Sequence, residues 1–272
     1  MAAGVVLFGL LGAIVAALSA SGLAAACLVS AGSAVTLTAL ALRTPRPFAL
    51  PWRLVGGLAV LNLAQIGFYY LALKLAPVGP AAALHLAAPV LLVGYALARR
   101  RRTLDARALL TLALLVGALA LAGATSGGAG GSRSPLLGLA FALLSAAAMA
   151  AMITVIFRQA ERMSLVAANA SKAWLGALAL APALAFSSPT LHVTLGLLGA
   201  GALLAAPGLV LVWWALARVS PQITSIIDLG EAVVTPAAGA ALFGLVFTLL
   251  HAAIMLPLLA AVWLELSRKR DV

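Results

Sequence analysis

Two carboxylates lie one helical turn apart in an apolar stretch near the end of the sequence. Thr224, Asp228, Glu231 and Thr235 follow spacings of four, three and four residues, which place them on one face of a predicted helix. Counted from Pro221 at about 1.5 Å per residue, Asp228 lies about 10 Å and Glu231 roughly 15 Å along that helix. Neighbouring carboxylates repel in a low dielectric, so at least one needs a proton or a cationic partner. The pair is predicted to be a proton or cation site, and a structural pair neutralised by Lys or Arg is the alternative.

Two further apolar stretches carry polar side chains that suit a transport path. A histidine ordinarily titrates near physiological pH, so His85 could relay a proton, although a histidine that donates to a helix carbonyl has the same sequence signature. Asn62, Gln65 and Tyr69 follow spacings of three and four residues and share one helical face. Amides there could orient a solute, or they could serve only as interhelical hydrogen-bonding groups.

Lys172 lies within an apolar segment, about 12 Å from the predicted cytoplasmic end of its helix, too deep for its ammonium to reach water easily. Asn169 shares its face, and Trp174 is nearby. Lys172 is predicted either to bind a solute carboxylate or to neutralise Asp228 or Glu231, and the two alternatives stay open.

Trp213 and Trp214 are adjacent near the predicted cytoplasmic end of the eighth apolar segment. Tryptophan is enriched at membrane interfaces, so an interfacial position is the favoured interpretation for both. An aromatic cage that binds a quaternary amine is the alternative.

The elements that position these groups are membrane helices. Of the 272 residues, 65% are hydrophobic and only 8% are charged, against about 25% charged in a soluble domain. Cys27 is the only cysteine, so no disulfide within the chain and no cysteine metal site is expected. The sequence predicts an all-α integral membrane protein with ten spans, at residues 3–20, 23–42, 54–73, 78–98, 107–124, 136–157, 164–185, 193–216, 221–243 and 246–266.

The distribution of charge supports this count. With a cytoplasmic N-terminus, 14 of the 17 lysines and arginines fall on the cytoplasmic side, as the positive-inside rule requires. Only Lys74 and Arg133 fall outside, and Lys172 lies within a span. The basic residues follow the span ends and form no single face, so the net charge of +11 indicates a membrane partner and no nucleic acid. The predicted location is the inner (plasma) membrane, with both termini cytoplasmic.

An internal repeat divides the chain. YLALKLAPVGPAAALHLAAPV (Tyr70–Val90) aligns with WWALARVSPQITSIIDLGEAVV (Trp213–Val234), and this alignment pairs His85 with Asp228. We predict a first five-helix repeat at residues 1–125, a Gly/Ser linker at 126–135 and a second five-helix repeat at 136–272. Because each half has an odd number of helices, the two insert with opposite orientation, an arrangement suited to alternating access.

The motifs of this repeat resemble those of a known family. An aromatic-rich helix, an Ala-Leu pair, a Pro-containing turn and a small-residue helix occur at Tyr69–Val90, and a second copy occurs at Trp213–Pro236. The pattern resembles the drug/metabolite transporter superfamily, and more narrowly the EamA-type ten-helix exporters. The resemblance implies export or uptake of amino acids, nucleobases, drugs or quaternary amines, by exchange, proton coupling or facilitation.

The expected function is secondary transport of a small metabolite by alternating access, with proton coupling through His85, Asp228 and Glu231. A quaternary-amine carrier is one alternative, and an intramembrane enzyme or a non-transporting scaffold represents a different class. Enzymatic activity is not expected, because the sequence has no His-Glu-x-x-His and no Gly-x-Ser-x-Gly motif. We expect no cofactor and no metal, a small-molecule substrate and the lipid bilayer as partners, and leave a homodimer open.

Overall fold

The described part of the chain is helical throughout. The computed structural model describes residues 2–18, 20–44, 51–75, 84–85, 87–99, 105–125, 135–159, 164–216, 218–219, 224, 227, 231–244, 253, 256–257, 260–261, 263–264 and 267. Its helices are α1 (Ala2–Ala17), α2 (Gly22–Ala41), α3 (Trp52–Leu75), α4 (Ala88–Ala98), α5 (Ala106–Thr125), α6 (Pro135–Gln159), α7 (Leu165–Leu180), α8 (Pro182–Ser187), α9 (Leu191–Ala200), α10 (Ala206–Leu216) and α11 (Glu231–Phe243). No strand occurs within these ranges, so the predicted all-α class is confirmed.

Three of these helical segments are long and apolar enough to cross a membrane. They are Gly22–Ala41, Leu136–Gln159 and Leu191–Ala215, and the last runs through α9 and α10. Four shorter apolar segments accompany them, at Ala2–Val15, Ala88–Ala98, Ala106–Ala118 and Leu165–Leu180. The observed helices lie close to the predicted spans where the structure describes both. Most of the predicted tenth span lies outside the described residues.

Short polar residues set where several helices begin. The side chains of Ser21, Ser164 and Thr190 accept hydrogen bonds from backbone N–H groups of the first turns of α2, α7 and α9. Asp105 Oδ1 accepts from Ala108 N at 2.7 Å and caps α5 in the same way. Each cap satisfies a backbone donor that has no partner inside its helix, which matters most where water is scarce.

The predicted span at 164–185 is interrupted at Ala181, although the backbone of that residue keeps right-handed helical angles. α7 ends at Leu180, and Pro182 begins the short helix α8 after a turn at Ala181. Proline has no N–H to donate and clashes with the preceding turn, so it starts a new helix more readily than it continues one. The span predicted at 193–216 carries a π-helical turn at Gly201–Ala205 between α9 and α10.

The residues group into two compact units. The first unit comprises Met1–Leu63, Val155–Val219 and Glu231–Phe247. Within it α2 packs most extensively against α7 and also contacts α8, α9, the π-helical turn and α10. α1 packs against α10 and α11. One apolar cluster joins α2, α7 and α10 through Ala34, Leu37, Ala170, Ala173 and Ala206.

Two glycines of the first unit allow α2 to approach the π-helical turn closely. A Cβ on Gly32 would overlap the carbonyl of Leu198, and a Cβ on Gly201 would overlap the carbonyl of Val29. Each glycine thus meets backbone of the opposite helix, as small residues do where membrane helices pack.

Alanine dominates the buried residues of the described chain, while many large apolar side chains, including Leu136, Phe186 and Leu203, face outward.

The second unit comprises Ala64–Thr154, Ser220–Gly230 and Thr248–Val272. The C-terminal part of α3 and the first part of α6 meet in it through the buried alanines Ala72 and Ala142. The rings of Phe68 and Phe141 stack between the same helices, with centroids 5.7 Å apart. α4 packs against α5 in this unit. These contacts hold the helices that carry the polar groups around His85.

Candidate functional site

The first unit holds a buried cation on an aromatic ring. Lys172 lies in the middle of α7 and only 6% of it is exposed. Its Nζ lies 5.1 Å from the centroid of the Trp213 ring, which α10 supplies and which is itself 5% exposed. A cation over an indole face gains about 2 kcal/mol or more when both groups are desolvated. Trp213 therefore stabilises the charge of Lys172 away from water.

Asn169 lies one turn before Lys172 and is fully buried. Its Nδ2 donates to the Leu165 carbonyl at 3.1 Å, whereas its Oδ1 has no hydrogen-bond partner among the residues that the structure describes. A buried acceptor without a partner costs about 1–3 kcal/mol in lost hydration. Asn169 Oδ1 is therefore a buried acceptor that could receive a hydrogen bond from a bound solute.

The structure brings Asn62 to the same face of α7. Asn169, Lys172 and Gly176 are spaced by three and four residues, so they share one side of the helix. A Cβ built on Gly176 would lie 3.6 Å from Nδ2 of Asn62 and 3.8 Å from Oγ of Ser30. Amide, ammonium and hydroxyl groups thus follow one face of α7. We use the name α7 polar face for Asn169 and Lys172 together with two residues of other helices that lie against this side of α7, Asn62 and Trp213.

Trp174, the remaining residue of the sequence prediction on this helix, lies elsewhere. Trp174 is 41% exposed, and its Nε1 donates to Oγ1 of Thr38 on α2 at 3.0 Å. Thr38 in turn donates to the Ala34 carbonyl at 2.7 Å. The indole N–H therefore links α7 to α2 on the exposed side of α7, whereas Lys172 lies on the buried side.

The second unit holds a separate polar cluster around His85. The Nδ1 of His85 lies 2.8 Å from Oγ of Ser145 on α6. Ser145 donates to the backbone carbonyl of Gln65 on α3 at 2.6 Å. The ring of Tyr69 stacks on the His85 imidazole, with centroids 4.1 Å apart and planes 27° from parallel. We name Gln65, Tyr69, His85 and Ser145 the His85 cluster.

Two members of these sets were not predicted as site residues. Ser145 is a serine in an alanine-rich helix, and no periodic pattern distinguishes it from a packing residue. Trp213 was interpreted as interfacial together with Trp214, and the structure separates them: Trp213 is 5% exposed and Trp214 is 55% exposed. Consecutive positions of an α-helix lie about 100° apart around its axis, so one tryptophan of the pair is buried on α10 while its neighbour is exposed.

The structure describes the predicted carboxylate pair only in part. Asp228 lies outside the described residues, and Glu231 begins α11 with its backbone alone described. Thr224, from the same predicted stripe, is buried, and within the described ranges its Oγ1 has no hydrogen-bond partner. Across the described residues, no group of three or more His, Cys, Asp or Glu side chains could hold a metal ion. The roles of Asp228 and Glu231 stay predictions.

Comparison with known proteins shows the fold. No family model matches the chain, and no curated protein matches it. Among solved structures, 17 chains match. One of them, described only as "Crystal structure of protein", aligns over 99% of this chain and 96% of its own, with a TM-score of 0.78 and 18% sequence identity. The chain therefore shares its fold with a protein whose structure has been solved.

Proposed function

We propose that the protein is a secondary transporter that moves a small metabolite, an amino acid or a related amine or drug-like solute, across the inner membrane. Alternating access of two inverted five-helix halves is the mechanism we infer from the sequence repeat. The observation that carries the proposal is the α7 polar face. In this view the protein is not an enzyme, and its partners are the solute and the bilayer.

The cost of the α7 polar face supports a role in binding. A lysine at the centre of a membrane helix costs roughly 2.5–3.5 kcal/mol on insertion scales. The unpaired acceptor of Asn169 adds about 1–3 kcal/mol. A helix kept only for packing would gain nothing from either group. A solute that arrives with a hydrogen-bond donor would pair with the Asn169 oxygen and offset the second cost.

The chemistry of the α7 polar face favours an amino acid or a similar zwitterion. Lys172 supplies positive charge that would attract a carboxylate, and Asn169 Oδ1 would accept from an ammonium or N–H group. Asn62 adds an amide that can both donate and accept. The quaternary-amine alternative is weaker on α10, because one face of the Trp213 ring already holds Lys172 and one face of the Trp214 ring holds Arg218.

Coupling to protons is part of the proposal and comes from the sequence. We assign it to His85, Asp228 and Glu231, whose titration in the membrane would link solute binding to proton binding. Three helical segments able to span a membrane and four shorter apolar ones support a polytopic protein. The orientation, with both termini cytoplasmic, comes from the charge distribution.

The first experiment identifies the solute. Purified protein would be melted in the presence of amino acids, quaternary amines and nucleobases, because a solute that binds the folded state raises stability by mass action. We expect amino acids to raise the melting temperature. Reconstituted vesicles would then measure uptake of the solute that stabilises most, with and without an imposed pH gradient.

The second experiment tests the assigned residues. We expect Asp228→Asn and Glu231→Gln to abolish pH-dependent uptake while the protein stays folded, since neither variant can exchange the required proton. Glu161→Gln is the matched control, because it removes a carboxylate from a predicted loop. The coupling assignment would be contradicted if both Asp228→Asn and Glu231→Gln took up the solute at the wild-type level and with the wild-type pH dependence.

A further inference from the structure

The hydrogen bonds of the His85 cluster determine which ring nitrogen carries the proton. The Gln65 carbonyl can only accept, so the Ser145 hydroxyl must donate its single hydrogen to that oxygen across the 2.6 Å contact. Toward His85, Ser145 Oγ is left with lone pairs and can only accept. The 2.8 Å contact therefore requires a hydrogen on His85 Nδ1.

The other ring nitrogen follows from this assignment. In a neutral imidazole one nitrogen donates and the other accepts, so Nε2 presents a lone pair when Nδ1 carries the hydrogen. The stacked ring of Tyr69, 4.1 Å away, lies against the face of the imidazole and resists its rotation. Ser145 itself is fully buried between α3 and α6, so bulk water cannot readily replace its hydroxyl.

We propose that Ser145 is a positioning residue that holds His85 in the Nδ1–H tautomer, so that Nε2 is the acceptor His85 offers to a solute or to a proton. The inference rests on the proposed function for the role of His85, and the tautomer itself does not depend on it. A neutral His85 held this way receives an ammonium or N–H group and repels a carboxylate.

A purely structural role for Ser145 predicts a different experimental result. If Ser145 served only to join α3 and α6 through the Gln65 carbonyl, its removal would change stability without changing the chemistry of the ring. The tautomer of His85 is the quantity that separates the two roles. It can be measured directly, because the chain has only three histidines, His85, His192 and His251.

The experiment is nuclear magnetic resonance of the full chain in lipid nanodiscs, with 15N in the histidine rings. His192→Gln and His251→Gln, combined, leave His85 as the only labelled ring. Two-bond couplings distinguish the nitrogens, because Nε2 couples to both ring carbon-bound hydrogens and Nδ1 couples strongly to one. We expect the pyridine-like nitrogen, which has no hydrogen, to be Nε2 at a pH where the ring is neutral.

Variants of α6 test the role of the hydroxyl. Ser145→Ala is expected to release the ring to a mixture of tautomers or to the Nε2–H form, and Ser145→Thr is expected to restore Nδ1–H. Thr154→Ala is the matched control, because Thr154 lies on the same helix and donates only to its own Ala150 carbonyl at 2.8 Å. A pyridine-like Nδ1 in the wild type, or an unchanged tautomer in Ser145→Ala, would overturn the proposal.

Uptake by the same variants separates this inference from the proposed function. We expect Ser145→Ala to weaken solute affinity by about tenfold, which corresponds to one hydrogen bond to a charged group, and Ser145→Thr to restore it. Wild-type uptake in a Ser145→Ala protein whose tautomer has changed would refute the role of His85 in binding. The assignment of Ser145 to the tautomer would then stand, because the spectrum alone decides it.

Discussion

Trp213 and Trp214 are adjacent on α10, and each carries a cation of its own chain. Lys172 lies 5.1 Å from the Trp213 ring, and Arg218 lies 3.8 Å from the Trp214 ring and also donates to the Trp214 carbonyl at 2.8 Å. The first pair is buried and the second is exposed. An exposed cation keeps its hydration, so the closer pair contributes less. Burial, more than distance, determines what such a contact stabilises.

The largest effect should come from removing the buried ring. Trp213→Ala is expected to lower the free energy of unfolding by about 3–5 kcal/mol, because it leaves a cavity and removes the aromatic face from Lys172. Trp214→Ala, the matched control one residue away, should cost less than about 1 kcal/mol. Thermal and denaturant unfolding of both variants in detergent would measure the difference. Equal losses would contradict the contrast between buried and exposed pairs.

A second contrast separates the two buried polar sets. Each hydrogen bond of the His85 cluster has its acceptor: Ser145 receives one from His85 and gives one to Gln65. On the α7 polar face, Asn169 keeps an oxygen for which the described part of the chain supplies no hydrogen-bond partner. The paired hydrogen bonds from His85 Nδ1 to the Gln65 carbonyl stabilise the helices that share them, whereas an unpaired group weakens the fold and leaves a position for a ligand.

Alanine substitution should therefore change the free energy of unfolding more at Ser145 than at Asn169. Ser145→Ala is expected to lower the free energy of unfolding by about 1–3 kcal/mol, because the His85 N–H loses its acceptor. Asn169→Ala should stay within about 1 kcal/mol of wild type, since relief of the unpaired oxygen offsets the lost bond to Leu165 and the small cavity. Unfolding measured without solute tests both. A loss at Asn169 as large as that at Ser145 would show that its oxygen has a partner.

The sequence predicted the helices well because their signal is local. Apolar length, Pro182 and the short capping residues are all visible along the chain, and the helices of the described part follow them closely. The break at Ala181 and the π-helical turn at Gly201–Ala205 were missed. Both are small departures inside one apolar run, and hydropathy, which averages over many residues, does not register them.

The candidate site was predicted in part, for a physical reason. Spacing placed Asn169 and Lys172 on one face of α7, and both are buried there. Spacing within a helix cannot say which other helix a face meets, so the contact of Lys172 with Trp213 and the approach of Asn62 to Gly176 needed the structure. The same limit hid Ser145, which is defined by His85 and Gln65, residues far from it in sequence.

The smallest effect is expected at the exposed bond between Trp174 and Thr38. Trp174→Phe keeps the aromatic ring and removes the N–H, while Thr38→Val keeps the shape and removes the acceptor. Interhelical hydrogen bonds in one membrane protein average about 0.6 kcal/mol, and this one is partly exposed, so a double-mutant cycle should give a coupling near or below that value. A coupling above about 1.5 kcal/mol would place Trp174 among the buried pairs. Uptake by Trp174→Phe would then have to be measured, because exposure would no longer separate Trp174 from the α7 polar face.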